Sequence, residues 1–168
     1  MSSLLLGANG VSVSNYIKTA IAAILTMFSV NSSAGDGLSS DEEVVFDKAM
    51  STVKYYINAG KQFPLFAVVL TKKSEVKSLL ASDEFSDQDA ALTGLLQQLS
   101  PMARNGEIVT SILVTPMSEP GEPNAAMFDV ESKGGTRKML LQLYTGSGEK
   151  VKFRKIQQTN TPLKLFAP

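Results

Sequence analysis

The chain has 168 residues, enough for one core, and its 43% hydrophobic and 19% charged content excludes global disorder. Sixteen basic residues balance sixteen acidic ones, so no overall charge draws the chain to nucleic acid or to a membrane. It contains neither Cys nor His, which excludes disulfides, Ser-His-Asp triads, Cys-His dyads and His-bearing zinc sites.

Residues 19–30 read TAIAAILTMFSV, with Lys18 just before them and Asn31-Ser32-Ser33-Ala34-Gly35 just after. A cation, a short apolar stretch and a small-residue exit make a secretory signal with its cut after Ala34. The run is short for a bilayer span, which needs about 20 apolar residues. Residues 1–34 are therefore expected to be a signal peptide or N-terminal apolar segment. The expected location is periplasmic or secreted, with membrane attachment only through an uncleaved segment. The uncharged stretch before Lys18 is long for a leader, and the alternative is a buried helix of a cytoplasmic protein.

Residues 35–39 form a small, polar linker. Ser40 then reads as a helix N-cap, with Glu43 completing a capping box. Asp41, Glu42 and Glu43 suit the positive end of the helix dipole. Phe46, Met50, Val53 and Ile57 follow at helical spacing, and Gly60 stops the helix. Phe63-Pro64 breaks the pattern. The unbroken apolar run Leu65–Leu70 predicts a strand covered on both faces. Glu75–Leu80 returns as its hairpin partner. Ser86 is the expected cap of a second helix over 87–104, with Leu92, Leu95, Leu96 and Leu99 as its stripe. Further strands are expected over 107–115, 125–131, 136–144 and 149–156, separated by Pro- and Gly-bearing turns. The order α-β-β-α-β-β-β-β predicts an α+β fold: a mainly antiparallel sheet of five to six strands with two amphipathic helices. These helices pack on one face or sandwich the apolar strand. The domain is placed at 40–156, followed by a polar tail, 157–168.

The segment Phe63-Pro64-Leu65-Phe66-Ala67-Val68-Val69-Leu70, a basic turn, and Glu75-Val76-Lys77 resemble a widespread bacterial α+β domain of unassigned role. The Leu-rich helix and Ala103-Arg104-Asn105-Gly106-Glu107-Ile108 continue the likeness, which covers residues 43–153. Where that domain has Gly in its first turn, this chain has Lys73-Ser74. The strand order is also similar to roadblock and profilin-like folds in topology. The resemblance implies a fold and no catalytic residues.

Candidate chemistry is sparse. Ser51-Thr52-Val53-Lys54 is a Ser-x-x-Lys on a helix, a spacing with which Lys54 could activate Ser51 for acyl transfer. The Lys-Thr-Gly and Ser-Asp-Asn partners of that chemistry are missing, and Ser74-Glu75-Val76-Lys77 repeats the spacing on a strand. Asp83, Glu84, Asp87 and Asp89 cluster, yet Gly is missing where a calcium loop needs it. Gly134-Gly135 and Gly146-Ser147-Gly148 are flanked by strands, not by a helix N-terminus, so they read as hairpin turns. No metal and no cofactor is expected.

One asymmetry remains. Between Lys133 and Lys155 there are seven basic residues and one acid, Glu149, whereas residues 36–47 carry five acids and no base. With Val151 and Phe153 turned inward, Lys150, Lys152 and Arg154 line an outer face. Lys138, Gln142 and Tyr144 are expected to share it from the neighbouring strand. Such a strip suits an acidic protein partner, a lipid headgroup surface or a polyanion. It also suits protection of an exposed hairpin against edge pairing. A single Tyr is too little for base stacking, so no nucleic acid partner is expected. The residues thus favour a non-catalytic, exported protein-binding module with an inhibitory, immunity or assembly role. The alternative is a small serine hydrolase using Ser51 and Lys54.

Overall fold

The computed structural model describes residues 37–81, 87–118, 124–135, 137–146, 148–154, 156–161 and 165. The apolar segment 19–30, its expected cleavage point, and Asp83, Glu84, Ser86, Ser147 and Lys155 lie outside the described residues.

Helix α1 spans Ser40–Asn58. Its N-cap is Ser39 rather than Ser40, and Glu42 rather than Glu43 closes the box. The Glu42 N–H donates to Ser39 Oγ at 3.4 Å, and the Ser39 N–H donates to Glu42 Oε2 at 2.7 Å. The sequence holds two overlapping Ser-x-x-Glu patterns. The first pattern is the one used, and in it Glu42 turns onto the sheet, where Ser132 and Lys138 meet its carboxylate. Helix α2 spans Gln88–Arg104, and its cap is Asp87, whose Oδ1 accepts the Ala90 N–H at 2.7 Å.

The strands are β1 (Phe66–Thr71), β2 (Val76–Leu80), β3 (Ile108–Met117), β4 (Asn124–Ser132), β5 (Arg137–Thr145), β6 (Lys152–Phe153) and β7 (Gln157–Thr161). All pairings are antiparallel. The sheet order is β2-β1-β3-β4-β5-β6, and β7 also pairs with β5. The α+β class and the predicted element order hold. The last expected strand does not run unbroken over 149–156. A 3₁₀ turn at Gly148–Lys150 precedes the two-residue β6, and the polar stretch read as tail supplies β7.

The two helices lie on opposite faces of the sheet. Alternate residues of β1 feed two separate cores, which is why the LFAVVL run has no polar position. On one face, Val45, Ala49 and Val53 of α1 meet Phe66, Val68, Ile112 and Phe128. Phe46 meets Phe128 edge-on with ring centroids 5.2 Å apart. On the other face, Leu95, Leu99 and Ala103 of α2 pack with Ala67, Val69 and Leu113. Each fully buried aliphatic or aromatic side chain here contributes about 1.5–3 kcal/mol.

Strand β3 runs two residues further than the breaker at Pro116 predicts. The Lys133 N–H donates to the Val109 carbonyl, so odd residues of β3 bond to β4 and even ones face β1. The Pro116 nitrogen therefore points toward β1, whose pairing ends at Phe66↔Val114. The missing N–H costs the ladder nothing there. The Pro116 carbonyl, on the same side, accepts from Gln88 Nε2 at 3.1 Å.

Candidate partner-binding surface

Five of the seven basic residues between 133 and 155 fall into two groups. Arg137 and Lys138, at the start of β5, are drawn into the fold. The Arg137 Nε donates to Asp129 Oδ1 at 2.7 Å and its Nη2 to Asp129 Oδ2 at 2.5 Å. This two-pronged pair has side chains only 9% and 7% exposed. The Lys138 ammonium donates to Glu42 Oε2 at 2.5 Å and to the Gly37 carbonyl. Ser132 Oγ donates to Glu42 Oε1 at 3.1 Å and lies 3.1 Å from Thr110 Oγ1. Glu42 is 2% exposed. Burial by itself would raise its carboxyl, but the hydrogen bond from Lys138, the Ser39 N–H and the Lys138 charge outweigh that and hold it below the usual carboxylate range.

The second group is displayed outward. Gly146, at φ +83°, starts the turn, and a Cβ there would come within 2.5 Å of the Lys150 carbonyl oxygen. Glycine is therefore required for the chain to fold back over itself. The Val151 N–H donates to the Gly148 carbonyl at 3.3 Å, and the Arg154 N–H to the Leu143 carbonyl at 2.9 Å. Val151 and Phe153 are half-buried against the α1-side core, and Lys150, Lys152 and Arg154 are exposed. Lys54 of α1 is exposed on the Phe153 side of this segment, with its Nζ 5.8 Å from the centre of the Phe153 ring. None of these four cations forms an ion pair among the described residues.

The shared outer face expected for Lys138, Gln142 and Tyr144 does not form. Tyr144 pairs with Phe153 across the ladder, so both rings point to the α1 side, 6.1 Å apart at their centroids. Tyr144 is 9% exposed, and burial pushes its hydroxyl up from its ordinary value. Gln142 lies on that inner side as well, 4% exposed, and its Nε2 donates to the carbonyls of Leu143 and Arg154. Lys138 is held by Glu42. Reading β5 by alternation fails because its more polar face, with Lys138 and Gln142 beside Leu140 and Tyr144, is the one that turns inward under α1. Sequence reasoning also missed Lys54 as a neighbour of β6. Nothing local signals that contact, which arises from the packing of α1 over the strand ladder.

Ser51 and Lys54 are both exposed on α1, and no hydrogen bond joins them among the described residues. The Lys54 ammonium is directed to an aromatic ring and not to a hydroxyl. Ser111 Oγ is buried and has no hydrogen-bond partner among the described residues, so its hydroxyl is closed to an external substrate. Of the acidic cluster, Asp87 serves as the α2 cap. Among the described residues no three acidic side chains converge as a metal site would need, and no helix is long and apolar enough to cross a membrane. Comparison of the chain with protein-family models, curated proteins and solved structures gives no match.

Proposed function

We propose that this chain is a non-catalytic protein-binding module, exported by its N-terminal segment, that docks an acidic partner protein in an inhibitory, immunity or assembly role. The observation that carries the reading is the exposure of Lys150, Lys152 and Arg154 along the segment that follows Gly146, and of Lys54 beside the half-buried Phe153 of the same segment, with no ion pair among the described residues. Long exposed cationic side chains supply both charge and contact area to a partner. Such charges act chiefly on the rate of encounter and on its salt dependence. Lys138 and Tyr144 belong to the support of this surface: Tyr144 backs Phe153, and Lys138 fixes the start of β5.

The test is affinity capture from a periplasmic extract with the wild type and with Lys150→Glu, Lys152→Glu and Arg154→Glu combined. The expected outcome is a partner retained at low salt by the wild type and lost by the triple variant, with the melting temperature kept. Identical partner lists for the two proteins would remove this surface from the account.

A further inference from the structure

Strand β2 ends the sheet, and its outer side has no strand beside it among the described residues. The direction of its backbone groups follows from its pairing with β1. The Thr71 N–H donates to the Glu75 carbonyl, and the Ala81 N–H donates to the Leu65 carbonyl. In an antiparallel ladder the bonded pairs alternate, so residues 75, 77, 79 and 81 face β1. The N–H and C=O groups of Val76, Ser78 and Leu80 therefore point away from the sheet. The same three residues are exposed, with Val76 at 38% and Leu80 at 58%. Four large hydrophobic side chains are exposed among the described residues, and two of them stand on this five-residue strand.

Edges of this kind are normally blunted by a bulge, a proline or a projecting cation. β2 contains no Pro, and its register with β1 is continuous from Val76 to Leu80. Its one cation, Lys77, is paired with Glu75, just before the strand, at 2.9 Å. Lys77 also points to the face opposite Val76 and Leu80, because successive side chains alternate.

We propose that β2 is the docking edge for a second copy of this chain, paired antiparallel about a two-fold axis at Ser78. The strand is self-complementary about that residue. Val76 of one copy falls opposite Leu80 of the other, twice, and Ser78 falls opposite Ser78. All three outward-facing residues then exchange backbone hydrogen bonds, and both exposed hydrophobic side chains gain an apolar partner. A shift that centres the axis on Lys77 would set two ammonium groups opposite each other, which disfavours it. The inference is independent of the acidic-partner surface, which lies at the other end of the strand order.

The chain has no cysteine, so a single introduced one reports register directly. Residues opposite each other in a bonded pair stand with Cα atoms about 5.5 Å apart, inside the range a disulfide accepts. Full-length Ser78→Cys is expected to run mostly as a reducible dimer after mild oxidation, and Lys77→Cys to stay at background. Ser78→Pro removes an outward N–H while keeping every bond to β1, so sedimentation is expected to fall from dimer to monomer mass with the melting temperature kept. If that variant does not fold, Leu80→Lys is read by the same sedimentation measurement. A wild type that sediments as a monomer at high micromolar concentration would overturn the proposal. So would cross-linking of Ser78→Cys no faster than that of Lys77→Cys, or an extended peptide from another protein bound to a monomer at β2.

Discussion

Arg137 and Lys138 come from the same basic stretch of sequence as Lys150, Lys152 and Arg154, yet the fold treats the two groups in opposite ways. The first two are taken inward and matched, one to Asp129 across the β4–β5 ladder and one to Glu42 on the first turn of α1. The other three remain in solvent. A buried cation must be paired because its desolvation is costly, so Arg137 and Lys138 are tied to the stability of the domain. An exposed cation costs little to keep and adds little to stability, which leaves it available for contacts outside the chain. Counting basic residues along the sequence conflates these roles.

That contrast breaks if the inner pair proves dispensable. Arg137→Ala should cause the largest loss, about 3–5 kcal/mol, because it strands the buried Asp129 carboxylate; chemical denaturation measures it. Lys138→Met should cost less, about 2–3 kcal/mol, since Ser39 and Ser132 still hold Glu42. The pH dependence sharpens the point. The folded Glu42 carboxyl titrates below its ordinary value of 4.5, so its contribution is full above that value. It is lost as pH falls from there through the lowered folded value. The melting-temperature gap between wild type and Glu42→Gln should therefore close on acidification over that window and stay constant toward neutral pH. For the outer group, the combined change of Lys150, Lys152 and Arg154 to Glu should alter stability by less than about 1 kcal/mol. Lys54→Ala should have the smallest effect, about 0.5 kcal/mol from the lost contact with Phe153. A collapse of stability in either outer variant would mean that these cations hold the fold and not a partner.

Much of the architecture was legible in the residues. The apolar run ending at Leu70 predicts a strand covered on both faces, and all six residues of β1 are buried; that one helix covers each face, rather than both covering one, was not legible. The stripes of both helices were equally plain, since Val53 and Leu99 recur at the helical period and meet opposite faces of that strand. The failures have physical causes. Two Ser-x-x-Glu patterns overlap at the first helix, and only the tertiary partners of Glu42 distinguish them. β7 reads QQTNT, a polar sequence at the margin of the sheet, where backbone bonding rather than apolar burial makes the strand. Tyr144 was misplaced because the face of β5 that carries it, with Lys138 and Gln142, looks polar yet turns inward, and only its register against Phe153 settles it. The proposed surface was half legible: Lys150, Lys152 and Arg154 follow from local alternation, whereas Lys54 arrives from a distant helix.

The tight crossing at Gly146 has a genetic consequence. A single added methyl there would collide with the main chain at Lys150 and push the whole basic turn away from its seat on α1. The position of three positive charges thus hangs on a residue that carries none. A screen for lost partner capture should recover changes at this uncharged site alongside the expected charge reversals.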